Sequence, residues 1–233
     1  MTAYKKFLNL STALNDSVGA SLAYNVMACN RLALAVPPSL GSPHDSGREL
    51  TEEEAELVRE AAELHSKHLA VTDSGGQFVA NTNLGVCSSL LGDPSAAAAH
   101  HQEALRSAIR MQSLSGQSVA VGNLGLLAHR QGDGQTAKAC LEQHLQLAQS
   151  LRCVKGEAGA WHLLGVVAGG GGEHEKAARY FEEGRRVAAA NGMEGMVKRL
   201  NCLVGVAKGK ERMAAHVEAL VKGAEGGGGR EGE

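Results

Sequence analysis

A glycine recurs every 40 residues along much of the chain, and this register limits the possible folds more than any other feature. The four copies are Gly85, Gly125, Gly165 and Gly205. Twelve residues after the first three come Ala97, Ala137 and Ala177. Within each of these three copies, a Gly-Asp or Gly-Glu pair lies between the glycine and the alanine. A fixed period of this length predicts helical units that stack into an α-solenoid.

Each copy has the pattern of two helices joined by a turn. The second helix starts near Pro94, Gly134 or Glu173, and its apolar residues recur with helical spacing. We expect the glycine of the first helix to meet the alanine of the second, because a close helix crossing requires small side chains. The four glycines at 169–172 fall in the turn of their copy. No Gly-Lys-Ser/Thr follows them, so the context does not indicate a phosphate-binding loop.

The pattern resembles the tetratricopeptide repeat (TPR). Trp161, Leu164, Gly165, Ala177 and Phe181 match positions of that family's signature. The closing proline of the signature is absent, and the 40-residue period with "NLG" is similar to that of spindle-orientation adaptors and kinesin light chains. The resemblance implies an all-α, right-handed α-solenoid of TPR-like helix-turn-helix repeats. The structural positions that it implies are the glycines and alanines named above, together with Leu84, Leu124, Leu164 and Trp161.

The register predicts how the chain is divided. The predicted segments are an orphan second helix at 1–16, a repeat at 17–73 with a loop insertion at about 36–52, repeats at 74–113, 114–153 and 154–192, a final half repeat plus capping helix at 193–222, and a flexible polar tail at 223–233. The half repeat at the start has two interpretations, a cut from a longer array or a capping helix. The insertion is rich in Pro, Ser and Gly, and is either a tolerated surface loop or a flap that contacts a partner.

Composition and charge exclude some kinds of partner. The net charge is −2, from 23 basic and 25 acidic residues, which argues against a dedicated nucleic-acid binder. No apolar run is long enough for membrane insertion. Cys29, Cys87, Cys140 and Cys202 fall in apolar helical stretches, where we expect them to pack as small hydrophobes in a reducing compartment. These observations predict a cytoplasmic location, with cytoskeletal and ciliary sites as narrower alternatives.

Catalytic chemistry is not indicated, so we predict that the protein is not an enzyme and needs neither cofactor nor metal. His65 and His68 have the spacing of two metal ligands, but no third ligand follows, and we expect them on a solvated helix face. His101 stands where the family places an aromatic residue, which predicts a packed core or boundary position. Thr51 and Glu54 have the spacing of a capping box at a helix start.

The expected function is protein–protein interaction, in the concave groove that the first helices would line. The resemblance implies that Asn83 and Asn123, just before Leu-Gly in two successive repeats, hydrogen-bond the backbone of an extended partner peptide. Alternatively, they bond the adjacent helix ends. The neighbouring residues predicted to add specificity are Thr82, His129, Arg130 and His162.

The leading hypothesis is therefore a scaffold or adaptor that binds a peptide or helix of a protein partner. Two alternatives remain open. One is a structural component of a large cytoskeletal or ciliary assembly, within a multi-subunit complex. The other is a regulatory repeat region of a larger enzyme or motor complex.

Overall fold

The computed structural model describes residues 2–36 and 49–227, except for the side chains of 214, 215, 218 and 221–227. These residues form ten α-helices and no strand. The helices are α1 Thr2–Ala13, α2 Ser17–Ala35, α3 Glu52–Val71, α4 Ser74–Leu90, α5 Pro94–Arg110, α6 Leu114–Arg130, α7 Gly134–Ser150, α8 Val154–Gly170, α9 His174–Ala190 and α10 Glu194–Gly227. No helix of the described chain is both long and apolar enough to span a bilayer.

The chain divides into two compact units, Met1–Gln131 (unit 1) and Gly132–Glu233 (unit 2). In unit 1 each helix from α1 to α6 packs against the next one along the chain, and in unit 2 the same holds from α7 to α10. The predicted all-α fold, in which consecutive helices pack on one another, is thereby confirmed. Residues 37–48, which make up most of the loop insertion predicted at about 36–52, lie outside the described residues.

Local sequence sets where the helices begin. The side chains of Asp16, Asp73, Asp93, Ser113 and Asp133 each accept a hydrogen bond from the backbone N–H three residues later. These bonds satisfy N–H groups that the helix itself leaves free. Pro94 stands in the first turn of α5, as predicted.

The start of α3 has the predicted capping box. The Thr51 hydroxyl accepts from the Glu54 N–H at 3.2 Å, and the Glu54 carboxylate accepts from the Thr51 N–H at 2.8 Å. The turns within two hairpins depend on glycine, because Gly92 and Gly172 each have a φ of +79°. L-residues with side chains rarely adopt that left-handed conformation.

The helix crossings correct one detail of the sequence prediction. A Cβ added at Gly85 would overlap the ring of His101, and one added at Gly165 would overlap the ring of Phe181. At Gly85 and Gly165 the nearest contact is therefore a flat ring sixteen residues later, where the alanine twelve residues later was predicted. In unit 2 that alanine, Ala177, instead lies 3.6 Å from a Cβ built at Gly169. Because glycine has no Cβ, the ring can lie directly against the backbone of the facing helix.

The other predicted structural positions are found in different environments. Gly125 is buried, whereas a Cβ at Gly205 would meet nothing within 4 Å, so the predicted crossing role of Gly205 is wrong. Leu84 and Leu164 are buried, and Leu124 is half-buried. Trp161 is also half-buried, with its ring centroid 5.7 Å from that of Tyr180. The buried alanines of the repeat are Ala97, Ala137 and Ala177.

Two further expectations differ from the structure. α10 is one continuous helix through Gly227, where a half repeat, a separate capping helix and a tail from 223 were predicted. The segment has no proline, and a glycine such as Gly209 inside a helix costs only about 1 kcal/mol, so nothing stops the helix. Among the cysteines only Cys87 is buried; Cys140 is half-buried, and Cys29 and Cys202 are exposed. These two lie on the outer faces of their helices.

Candidate peptide-binding surface

The two asparagines of the predicted site lie on the first helices of two successive repeats, and both helices belong to unit 1. Asn83 is on α4 and Asn123 is on α6, and both are half-buried. In the part of the chain that the structure describes, neither side-chain amide makes a hydrogen bond, so they do not bond the adjacent helix ends. Each amide offers both a donor and an acceptor, which is the pair of groups that a peptide backbone requires.

Two of the predicted neighbours already have partners. The Thr82 hydroxyl donates to the Phe78 carbonyl one turn earlier, at 2.8 Å. The Arg130 guanidinium donates to the Ser89 hydroxyl at 2.7 Å, which ties the end of α6 to the end of α4. His129, the residue before Arg130, is half-buried. Arg130 therefore links the two first helices that carry the asparagines.

The prediction that His162 contributes to the binding surface disagrees with the structure. His162 is buried in unit 2, with its ring centroid 6.2 Å from that of Phe181. It lies three residues before Gly165, so helical spacing puts it on the face that packs against α9. Leu163, which stands where the other copies have asparagine, packs partly buried against the cluster around Leu141 and Leu164.

A buried polar pair close to the predicted site was missed by the sequence analysis. Asn81 is buried; its amide nitrogen donates to the Gln77 carbonyl at 3.0 Å, and its amide oxygen lies 3.0 Å from Nδ1 of His100. The signal was present, because Asn81 precedes Gly85 by four residues and so shares its face. The pair joins α4 to α5 and is a structural link, not a free binding group.

Three histidines of unit 1 are buried without full hydrogen bonding. The exposed fractions of His65, His68 and His101 are 0%, 3% and 3%. Both ring nitrogens of His65, and Nδ1 of His68 and His101, have no hydrogen-bond partner among the described residues. The core position predicted for His101 is confirmed, but the solvated face predicted for His65 and His68 is wrong. Their spacing of three residues puts both on the apolar stripe of α3.

Burial also changes how these histidines titrate. It lowers the pKa of His65 to about 4, with a smaller effect from the nearby His68. Burial lowers the pKa of His101 to about 4 as well, with His100 adding to the effect. The pKa of His68 is lowered by burial and raised in part by Asp73. All three rings are therefore neutral at pH 7.

No described group of three or more His, Cys, Asp or Glu side chains is placed to hold a metal ion.

Comparison with known proteins places the chain by its fold. No protein-family model matches it, and no curated protein matches it either. It is similar to the crystal structure of aspartyl phosphate phosphatase F from Bacillus subtilis, with a TM-score of 0.56 and 14% identity over 96% of this chain and 60% of that one. It is also similar to the crystal structure of MamA, with a TM-score of 0.46 and 19% identity over 80% of this chain and 96% of that one.

By its fold, the chain is a TPR-like helical-repeat protein. At 14% identity the first of these similarities supports the fold alone. The chain also spans only about 60% of the length of that phosphatase.

Proposed function

We propose that the protein is an interaction scaffold that binds an extended peptide of a protein partner along the first helices α4 and α6. The observation that carries this proposal is the pair of half-buried, unbonded amides of Asn83 and Asn123. They occupy the same place in successive repeats, so they can contact one peptide at two points along its backbone. The TPR-like fold is consistent with this use, since such repeats present extended surfaces.

The chemistry of the amides defines what they can recognise. A side-chain amide that accepts from a peptide N–H and donates to a peptide C=O binds the backbone whatever the partner's side chains are. Selectivity then has to come from residues nearby, and His129 is a half-buried candidate. Each lost amide leaves a peptide group unpaired, which costs roughly 1–3 kcal/mol. The double change Asn83→Ala and Asn123→Ala removes about 2–6 kcal/mol and should therefore weaken binding between about 30-fold and about 20,000-fold.

Selection from a library of random extended peptides tests this directly. Peptides selected on the wild-type protein are titrated against the double Asn variant, with circular dichroism to check that it is folded. Matched controls are Gln102→Ala and Gln143→Ala, because both glutamines are exposed on second helices. A strong loss of peptide binding in the Asn variant, with little loss in the two controls, supports binding along α4 and α6. The opposite ranking would move the interface to the second helices and refute the proposal.

A different observation favours a structural component of a larger assembly as the second candidate. Apolar residues lie exposed at the junction of α1 and α2; Leu14 is 76% exposed and Val18 is 77% exposed. Phe7, Leu10 and Leu22 are exposed close by in the sequence. Several exposed large apolar residues on one pair of helices are typical of an interaction surface. If this candidate is correct, Leu14→Lys with Val18→Lys should abolish concentration-dependent self-association in sedimentation experiments. A wild-type chain that stays monodisperse at high concentration contradicts it.

A further inference from the structure

A cavity of about 400 Å³ lies within unit 2, among α7, α8 and α9. Its volume falls in the range of ligand-binding pockets, which is about 300–1,000 Å³. Its lining combines apolar residues with three charged side chains. The apolar residues are Leu164, Val167, Ala168 and Tyr180, and the charged residues are Lys138, Glu173 and Lys176. No residue of the Asn83 and Asn123 surface contributes to it.

Small residues keep the cavity open, and stacked aromatic rings hold one wall. Gly134 and Gly171 line it, and a Cβ added at Gly134 would meet nothing within 4 Å. On the α9 side, the ring of Tyr180 packs against Trp161 with an angle of 31° between the ring planes. One side of the cavity is thus formed by a tyrosine that packs against a tryptophan.

The charged side chains give the cavity an excess of one positive charge. Lys176 is paired with Glu173, and this hydrogen bond lowers the pKa of the Glu173 carboxyl, with a smaller contribution from Lys138. Glu173 is thus ionised and neutralises one ammonium. Besides its charge interaction with Glu173, Lys138 has a long ion pair, 3.8 Å from Nζ to the carboxylate of Glu142, which does not line the cavity. An incoming carboxylate can therefore pair with Lys138.

We propose that this cavity binds a partner segment in which a large apolar residue stands beside an acidic residue. The apolar side chain fills the space over Leu164 and Val167, and the neighbouring carboxylate pairs with Lys138. The site lies in unit 2 and so is independent of the peptide surface proposed on α4 and α6. It gives the protein a second contact, which selects partners by side chain where the asparagines bind the backbone.

The test uses short peptides with acetylated and amidated ends, so that no terminal charge contributes. One peptide places Asp-Leu in a Gly/Ser background, and three matched peptides carry Asn-Leu, Asp-Ala or Lys-Leu at the same place. Trp161 is the only tryptophan of the chain and contacts a lining residue, so its fluorescence reports on this site. The 233-residue protein should show a saturable fluorescence change with Asp-Leu. Each of the three matched peptides should bind about fivefold or more weakly.

Protein variants complete the test. Lys138→Glu should weaken Asp-Leu binding about fivefold or more, whereas Lys155→Glu should not, because Lys155 is an exposed lysine of unit 2 outside the cavity. Equal binding of Asp-Leu and Asp-Ala would mean simple ion pairing, and equal losses in the two lysine variants would mean a general charge effect. Either result overturns the proposal, as does the absence of any saturable change with Asp-Leu. None of these results depends on Asn83 or Asn123.

Discussion

Acidification from pH 7 to pH 5 should destabilise unit 1 through its buried histidines. In the unfolded chain a histidine has a pKa of about 6.5. In the folded protein the pKa of His65 and of His101 is lowered to about 4. A group whose pKa is lower in the folded state binds its proton preferentially in the unfolded state. The stability contributed by the neutral rings is therefore complete above pH 6.5 and is lost as the pH falls through 6.5 toward 4.

The size of the effect follows from these pKa values. At pH 5 the unfolded chain binds nearly one proton at each position, and the folded chain binds about 0.1. The resulting loss of unfolding free energy at pH 5 is about 2 kcal/mol for His65 and about the same for His101. The pKa of His68 is also lowered, so it acts in the same direction. A total of about 4 kcal/mol is a large part of the 5–15 kcal/mol that stabilises a typical domain.

Urea denaturation at pH 7.5 and pH 5.0, followed by circular dichroism, measures this difference. His101→Phe is the informative variant, because Phe181 already packs over Gly165 in the way that His101 packs over Gly85. The variant should lose about 2 kcal/mol less than the wild type between the two pH values. His216→Gln, at an exposed position of α10, should behave like the wild type. If His101→Phe shows the wild-type pH dependence, protonation of the buried ring is not the cause.

Further changes test other parts of the fold. Gly165→Leu should destabilise the protein by about 1–3 kcal/mol or more in a thermal melt, because the new side chain would overlap the Phe181 ring. Gly205→Leu is its matched control and should leave the melt nearly unchanged, since the space around that glycine is open. Thr51→Ala should cost about 1 kcal/mol through loss of the capping box at α3. Replacing residues 37–47 by a short Gly-Asp turn should leave the helical ellipticity intact, and a large loss would show that this segment is needed for folding.

The hairpins could be predicted because their signals are local. A left-handed glycine ends one helix, and an Asp or Ser side chain caps the next, as at Gly92 and Asp93. Such interactions involve neighbours in the sequence, so a repeated pattern shows them directly. The partner of each packing glycine could not be predicted in the same way. It depends on the angle and register at which two helices cross, and the ring at 101 or 181 is as compatible with the pattern as the alanine before it.

Histidine burial was the other property that the sequence analysis judged wrongly. His65 and His68 stand among Glu and Lys residues, and as polar residues they indicated a solvated face. The structure places them on the apolar stripe because their positions follow Val58 and Ala61 at helical spacing. The position of these histidines in the helical repeat of apolar residues therefore predicts their burial better than the polarity of their side chains does. The length of α10 was predicted wrongly for a different reason. It could be predicted only from the absence of a helix-terminating residue, which is weak evidence.

The same periodicity separates structural from available side chains within the "NLG" helices. Successive residues of an α-helix are rotated by about 100°, so a residue two positions before the glycine points about 160° away from it. The glycine faces the second helix of its hairpin, as Gly85 faces His101. Asn81, four positions before Gly85, is about 40° from it and is buried in the hairpin. Asn83 points away from the hairpin partner and keeps its amide unbonded. A residue at that position faces away from its own hairpin partner, as Leu163 does where it packs against the cluster of Leu141 and Leu164, and the ligand contact proposed for Asn83 uses the same face.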